Sequence, residues 1–342
     1  MEKILSVVIP TYNMENYLSQ CIKSLIVDED SLMNKLEILI VNDGSNDSSS
    51  EIAHLFEKKY SNVIRVIDKQ NGNYGSCINV GLKESIGKYI KILDADDQFV
   101  NLHFKAFLEM LLDSDADMII SDYQQVNEKG RVLKTISFPI EPNKKHVLTF
   151  DMLNTTFATI DFQMHAVTYK RSIFQKMKYT QTEGISYTDQ EWMFEPVCYI
   201  NNVQYFNRPV YLYLLGREGQ TMNPKIQIKK ITDLEVGLNK MLDFYYGCTQ
   251  ELYDNYLKIR ILQRLKGIYQ TYFYIYSEEC KAKIATLDNR LKDFPALYHY
   301  SGEICLNPHF RFKFVSVYRK GWHRTSVLIV RVYQFLINIL KA

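Results

Sequence analysis

The sequence predicts an α/β protein: a mostly parallel central sheet flanked by helices, followed by a helical C-terminal region. Three observations carry this. Short apolar β-forming runs alternate with helix-period segments over the first hundred residues, as expected of a parallel sheet with covering helices. Each run stops in a polar, turn-forming loop. From Ile226 the apolar period is helical throughout, so the boundary is set at 225, giving segments 1–225 and 226–342.

Ile4–Ile9 reads as a buried strand ending in the turn Pro10-Thr11-Tyr12-Asn13. Tyr17, Leu18, Cys21, Ile22, Leu25 and Ile26 repeat as one helical face. Glu37–Asn42 is the second strand, and Asp43-Gly44-Ser45-Asn46-Asp47 is its closing turn. A helix from Ser48 to Tyr60 is expected to carry Ile52, Leu55 and Phe56 inward. Val63–Asp68 is the third strand, Lys69–Gly75 a flexible loop, and Asn79–Ile86 a helix. Tyr89–Leu93 is the fourth strand and runs straight into Asp94, Asp96 and Asp97.

Beyond it, Asn101 is expected to cap a helix with Phe104, Phe107, Leu108, Leu111 and Leu112 inward. Asp117–Tyr123 reads as a strand and Glu128–Arg131 as a hairpin turn. Residues 135–165 carry no legible period and read as an insertion. Ala166–Lys170 is a strand, preceded by His165, which is read as structural. Thr188 is expected to cap a helix carrying Asp189, Glu191, Trp192 and Phe194. Asn202–Leu215 has strand character.

Composition excludes several classes. A net charge of +2 over 342 residues gives no case for nucleic acid as a partner. The six cysteines lie far apart with no C-x-x-C pair, so neither a zinc site nor a disulfide framework is indicated. The apolar run at the N-terminus is too short for a signal peptide, and no transmembrane helix is expected. Tyrosines 245, 246, 253, 256, 269, 272, 274 and 276 are read as core or interface. After Glu303 the chain has no acidic residue, and Val327–Leu340 is apolar except for a stripe of Arg331, Gln334, Asn338 and Lys341. That pattern suits a helix lying at an anionic membrane surface, with docking on the protein itself or on a second copy as the alternatives.

Ligands of parallel sheets sit at the carboxyl ends of the strands. Four loops therefore meet in one cleft: Pro10–Asn13, Asp43–Asp47, Asn71–Gly75 and Asp94–Asp97. They offer an aromatic ring, carboxylates and glycines. Asp94 and Asp96 lie two apart on one extended edge and can point the same way. Gathered carboxylates favour a divalent cation that takes hard oxygen ligands, which in turn suits a diphosphate. An Asp-rich turn with no ligand is the alternative. The glycines Gly72, Gly75 and Gly81 do not make G-x-G-x-x-G, and no P-loop is present.

VVIPTYN at 7–13, ILIVNDGSNDSS at 38–49 and GKYIKILDADD at 87–97 resemble, in order, the N-terminal signatures of the family-two glycosyltransferases. The resemblance implies the GT-A fold and inverting transfer of a hexosyl or N-acetylhexosaminyl group from a nucleotide sugar, usually a UDP-sugar. It implies that Pro10, Thr11, Tyr12 and Asp43 serve the base and Asp94 the ribose or uracil side. Asn71, Gly75 and Ala95 would line the nucleotide sugar, and Asp96 would hold the metal. Asp97 would be a second contact to that metal, Mn²⁺ or Mg²⁺ by the same resemblance, or a structural cap, and is read as structural. The acidic pair that precedes the catalytic helix in many members stands here as Thr188-Asp189, so Asp189 becomes the base, with Glu191 as the fallback. Arg217 would clamp the leaving diphosphate, or else pair with Glu218 on the surface. The implied acceptor is a glycan or lipid-linked oligosaccharide, in capsule, exopolysaccharide or lipopolysaccharide assembly on the cytoplasmic face of the membrane. The rival readings are a nucleotidyltransferase and an inactive sugar-nucleotide binder or scaffold.

Overall fold

A computed structural model of the chain describes residues 2–158, 162–217, 228–305, 313–320 and 330–331. The chain divides into two compact units, Met1–Gln220 and Thr221–Ala342.

The first unit is built on a ten-stranded sheet. Its strands are β1 (Leu5–Thr11), β2 (Leu36–Asn42), β3 (Ile64–Asp68), β4 (Tyr89–Ile92), β5 (Gln98–Phe99), β6 (Met118–Asn127), β7 (Val132–Ile136), β8 (Lys145–Val147), β9 (Val167–Lys170) and β10 (Asn202–Leu215). The order across the sheet is β3-β2-β1-β4-β9-β6-β10-β5, with β7 on β6 and β8 on β10. The first four strands are parallel. Strand β9 then runs antiparallel to both β4 and β6, and β10 lies parallel to β6. The sheet is therefore mixed, parallel in its first half, and β4, β6 and β10 all end at the edge where β1 and β2 end. All seven residues of β1 and of β2 are buried, which is why both read as unbroken apolar runs rather than as alternations.

The helices show where local patterning misleads. Helix α1 spans Leu18–Ser24 and the short α2 spans Asp30–Met33. Helix α3 (Ser49–Lys59) buries Ser49 and Ala53, and leaves Leu55 69% exposed. Small side chains face inward because the helix starts against the first loop, where Ser49 Oγ accepts from the Met14 amide at 2.7 Å. Helix α4 (Asn73–Glu84) begins inside the segment expected to be a flexible loop. Its glycines are packing positions: a Cβ on Gly81 would lie 2.4 Å from Val8 Cγ1, and one on Gly75 would lie 1.9 Å from the Thr182 carbonyl oxygen. Burial against β1 overrides the poor helix propensity of glycine. In α5 (Asn101–Asp113), Phe104, Phe107, Leu108 and Leu111 are buried as expected, whereas Leu112 is 43% exposed. Asn101 is the first helical residue, not the cap, and its amide donates to the Ile26 carbonyl at 2.5 Å.

The illegible segment supplies β7, β8, a π-helical turn at Met152–Phe157 and a 3₁₀ turn at Met164–Ala166. Helices α6 (Ser172–Met177) and α7 (Asp189–Trp192) follow. Thr188 sits at the N-cap of α7 without capping it; its hydroxyl accepts from Gln181 Nε2 at 3.0 Å instead. Helix α7 ends before Phe194.

The second unit is helical: Ile231–Gly247, Glu251–Ile275, Glu278–Leu291, Pro295–Gly302 and Phe314–Arg319. Tyr253, Tyr256, Tyr269 and Tyr272 are buried, while Tyr246 is 78% exposed. Asp288 ties the unit together by accepting from Tyr269 Oη at 2.5 Å and from Arg319 at 2.7 Å. No described helix is long and apolar enough to cross a membrane. Apart from Val330 and Arg331, the Val327–Leu340 stretch lies outside the described residues.

Candidate active site

The loops after β1 and β2 are laced together. Asn13, with φ +54°, accepts from the Asn46 amide at 2.8 Å. The Glu15 amide donates to Asp47 Oδ2 at 3.0 Å, and the Ser48 amide donates to Glu15 Oε2 at 3.1 Å. Tyr12 is left 44% exposed at the rim. Pro10 and Thr11 are buried, and the Thr11 hydroxyl donates to the Ile9 carbonyl at 3.2 Å.

Asp43 is buried beneath this rim. Its Oδ1 accepts from Lys69 Nζ at 2.6 Å and from the Gly72 amide at 2.9 Å. Lys69 also donates to the Gln70 carbonyl at 2.6 Å and to Ser76 Oγ at 2.8 Å. Asn71 Nδ2 donates to the Asp43 carbonyl at 3.0 Å. Lys69 was not foreseen; a lysine closing β3 beside an aspartate closing β2 is the signal that could have found it. Gly75 is a buried residue of α4 at its close approach to Thr182. Ala95 is buried as well.

The acids after β4 face different partners. Asp97 accepts from Tyr211 Oη at 2.7 Å and from the Leu214 amide at 2.7 Å, so both its oxygens tie the turn to β10. Asp94 Oδ1 accepts from Tyr74 Oη at 2.9 Å. Asp96 Oδ2 accepts from Arg217 Nε at 2.5 Å, and the Arg217 guanidinium lies 5.6 Å from the Tyr17 ring centroid. Arg217 thus meets the Asp94–Asp97 turn itself. Asp189, at the start of α7, is half-buried and accepts from Gln190 Nε2 at 3.3 Å. Glu191 is buried, and its Oε2 accepts from the Thr182 amide at 2.9 Å, a structural engagement.

These carboxylates share one field. Burial, then the charge of Asp96, pushes the Asp94 carboxyl up to about 7, and Asp189 adds to the rise. Burial, followed by Asp96 and Asp94, holds Asp97 well above the usual carboxylate range. Burial raises the Tyr213 phenol, and so do Asp97, Asp94, Asp189 and Asp96. One strand-end ring therefore feels all four acids. Like charges so gathered disfavour ionisation unless a cation joins them.

His165 closes the floor, stacked on Tyr213 at 4.1 Å between ring centroids. Among the described residues its buried Nδ1 has no hydrogen-bond partner. Burial, and then Lys91, lowers its pKa to about 3, so the ring is neutral. Asp94, Asp97 and His165 each offer a ligand atom within 4.8 Å of one another. The two carboxylates are the donor type a hard cation such as Mn²⁺ or Mg²⁺ takes, while Asp97 spends both oxygens on β10 and the imidazole is the softer ligand. Below it, Lys91 is wholly buried and donates to the His165 carbonyl at 2.8 Å and to the Val167 carbonyl at 3.0 Å.

A mixed sheet with acids at the ends of its parallel strands, two laced loops and a further acid at a short helix defines the class of a nucleotide-sugar transferase fold. Residues 6–178 match the family described as Glycosyl transferase family 2, and the chain belongs to that family. The protein is a glycosyltransferase. It is 31% identical over 222 residues to an uncharacterised glycosyltransferase of Mycoplasma genitalium, covering 64% of this chain and 70% of that one. It is 25% identical to the glycosyltransferase GlyG of Streptococcus pneumoniae, covering 80% of this chain and 90% of that one. Among solved structures it resembles S. aureus TarS 1–349 in complex with UDP-GlcNAc, with a TM-score of 0.64, 18% identity, and coverage of 93% of this chain and 92% of that one. That likeness establishes the GT-A fold.

Proposed function

We propose that the protein is an inverting transferase that moves a hexosyl or N-acetylhexosaminyl group from a UDP-sugar to a hydroxyl of a glycan or lipid-linked acceptor. The setting is cell-surface polysaccharide synthesis on the cytoplasmic face of the membrane. The observation that carries the reading is the meeting of Asp94, Asp96 and Asp189 in one field beside the Asp43 loop. UDP-GlcNAc is bound by the similar TarS, and GDP-Man with Mn²⁺ by a mannosyltransferase of Pyrobaculum calidifontis of the same fold (TM-score 0.50, 13% identity, covering 88% of this chain and 84% of that one).

Asp43 accepts from the uracil imide, its free rotation removed by Lys69 and Gly72. Tyr12 lies along the base. Asp96, with Asp94, would hold a divalent cation, which would supply charge neutralisation for the leaving diphosphate. Asp189 takes the acceptor hydroxyl's proton on the opposite face. Arg217 moves from Asp96 to the departing diphosphate.

The ion pair between Arg217 and Asp96 favours a second reading, in which Arg217 serves the diphosphate without a metal. One experiment separates them. A panel of nucleotide sugars is assayed for binding and slow hydrolysis with Mn²⁺ and with EDTA, using wild type and Asp96→Ala. The first reading requires one UDP-sugar to stand out and the signal to need both metal and Asp96. Activity that survives EDTA selects the second reading, and no binding under any condition leaves a scaffold.

A further inference from the structure

Strands β2 and β3 end side by side, with Asn42 opposite Asp68 in register. The residues that follow, Asp43 and Lys69, pair with each other and meet α4, where Lys69 also donates to Ser76. Successive side chains of a strand alternate between faces, so Asn42 and Asp68 turn the other way, toward α3. There Ser50, His54 and Glu57 stand on one helical face.

The contacts of Asp68 are dense for a side chain at the surface. Its Oδ1 accepts from Asn42 Nδ2 at 2.7 Å and from Ser50 Oγ at 2.9 Å. Its Oδ2 lies 2.7 Å from His54 Nε2. The other ring nitrogen of His54 lies 2.8 Å from Glu57 Oε2, and Glu57 Oε1 accepts from the Val66 amide at 2.7 Å. Only an imidazolium donates from both nitrogens, and the hydrogen bonds to Asp68 and then Glu57 raise the His54 pKa.

This cluster fixes one buried amide. Asn42 is buried at the end of β2. An ionised Asp68 can only accept, so Asn42 must turn its NH₂ to it and its Oδ1 away. That Oδ1 accepts from the Ser45 amide at 3.2 Å, and Ser45 Oγ accepts from the Asn13 amide at 3.0 Å. The chain of contacts runs from His54 through Asp68, Asn42 and Ser45 to Asn13, the residue after Tyr12. It sets the shape of both loops that flank Asp43, and it does so from the α3 side of the sheet.

We propose that Asp68, held by His54 and Ser50, is a positioning residue for the donor's base, acting through Asn42 on the loops that carry Asp43 and Tyr12. The proposal rests on the transferase reading above. It is tested on the full chain by calorimetry with UDP and with ADP, which shares the diphosphate but not the base, in Mn²⁺. Asp68→Ala is expected to weaken UDP binding about tenfold, the loss of one hydrogen bond to a charged group, with ADP affinity level. Asp68→Asn keeps an oxygen for Asn42 and can turn its NH₂ to a neutral His54, so it is expected to bind UDP as wild type does. Urea midpoints of each variant are measured alongside. A lower midpoint with unchanged UDP affinity, an equal loss of UDP and ADP, or an Asn variant as weak as the Ala variant overturns the proposal. Should Asp68→Ala fail to fold, His54→Ala on the exposed face of α3 decides, with UDP weakened about threefold as the expected result and unchanged affinity as the contrary one. If wild type binds UDP and Asp68→Ala binds it equally, the positioning role alone is wrong; if wild type binds no UDP, the transferase reading falls and takes this inference with it.

Discussion

Asp189 and Glu191 stand two residues apart and differ in what surrounds them. Glu191 is buried and spends an oxygen on the Thr182 amide. Asp189 is half-buried, accepts a long hydrogen bond from Gln190 and lies in the field of Asp94. A base must reach an incoming hydroxyl, so Asp189 is the better placed of the two. Asp189→Asn is expected to lower kcat by about 10²–10⁴-fold, the usual worth of a positioned base, while UDP affinity stays within about twofold. Full transfer by the Asn variant would remove Asp189 from the mechanism. Calorimetry with UDP alongside the rate keeps a folding defect from passing as a chemical one.

At the scale of the element, helix α4 is a spacer set by glycines. Gly75 brings the helix against the 181–183 segment, and the neighbouring Tyr74 then reaches Asp94. Gly75→Ala must push the helix away from the Thr182 carbonyl, at a cost of about 1–3 kcal/mol for overpacking. A lower Tm and a weaker metal dependence of transfer are expected together; an unchanged Tm would show that the contact yields freely. Strand β4 carries the other exception, a buried lysine. Burial lowers the Lys91 pKa to about 7. Above that pH the folded chain has lost a proton that the unfolded chain keeps to about pH 10. The unfolded state then binds more protons, so the Lys91 contribution makes stability rise with pH between those limits. Urea midpoints measured across that range should show a steeper rise in wild type than in Lys91→Met. Equal slopes would mean that Lys91 keeps its charge inside the sheet.

For the whole molecule, the open matter is where it works. The chain after Glu303 is basic and free of acids, and the stretch 327–340 has a polar stripe on an otherwise apolar composition. Full-length protein is expected to float with vesicles rich in phosphatidylglycerol, less so in high salt, because exposed charge is screened there. Removal of residues 321–342 should abolish flotation. Equal flotation with neutral vesicles would reject the electrostatic attraction.

Much of this was legible in the residues. Apolar runs long enough to be buried on both faces announced β1 and β2, and the polar turns that close β1, β2 and β4 announced a cleft, because a chain leaving a buried strand must hydrate its backbone at once. The order of the three signatures pointed to the family. What sequence periodicity could not supply was anything that depends on which surfaces meet. The inward face of α3 and the early start of α4 follow from close approach to neighbours, where a small residue is worth more than an apolar one. Lys69 on Asp43, Tyr74 on Asp94 and Arg217 on Asp96 join residues 26, 20 and 121 positions apart. Such pairs leave no local trace, since charge and hydrogen bonding act through space. The sequence by itself determined the parallel half of the sheet, its acidic edge and the family; only the tertiary structure decided which acid is tied to β10 and which meets Arg217, because burial and partner, not residue type, set what a carboxylate can do.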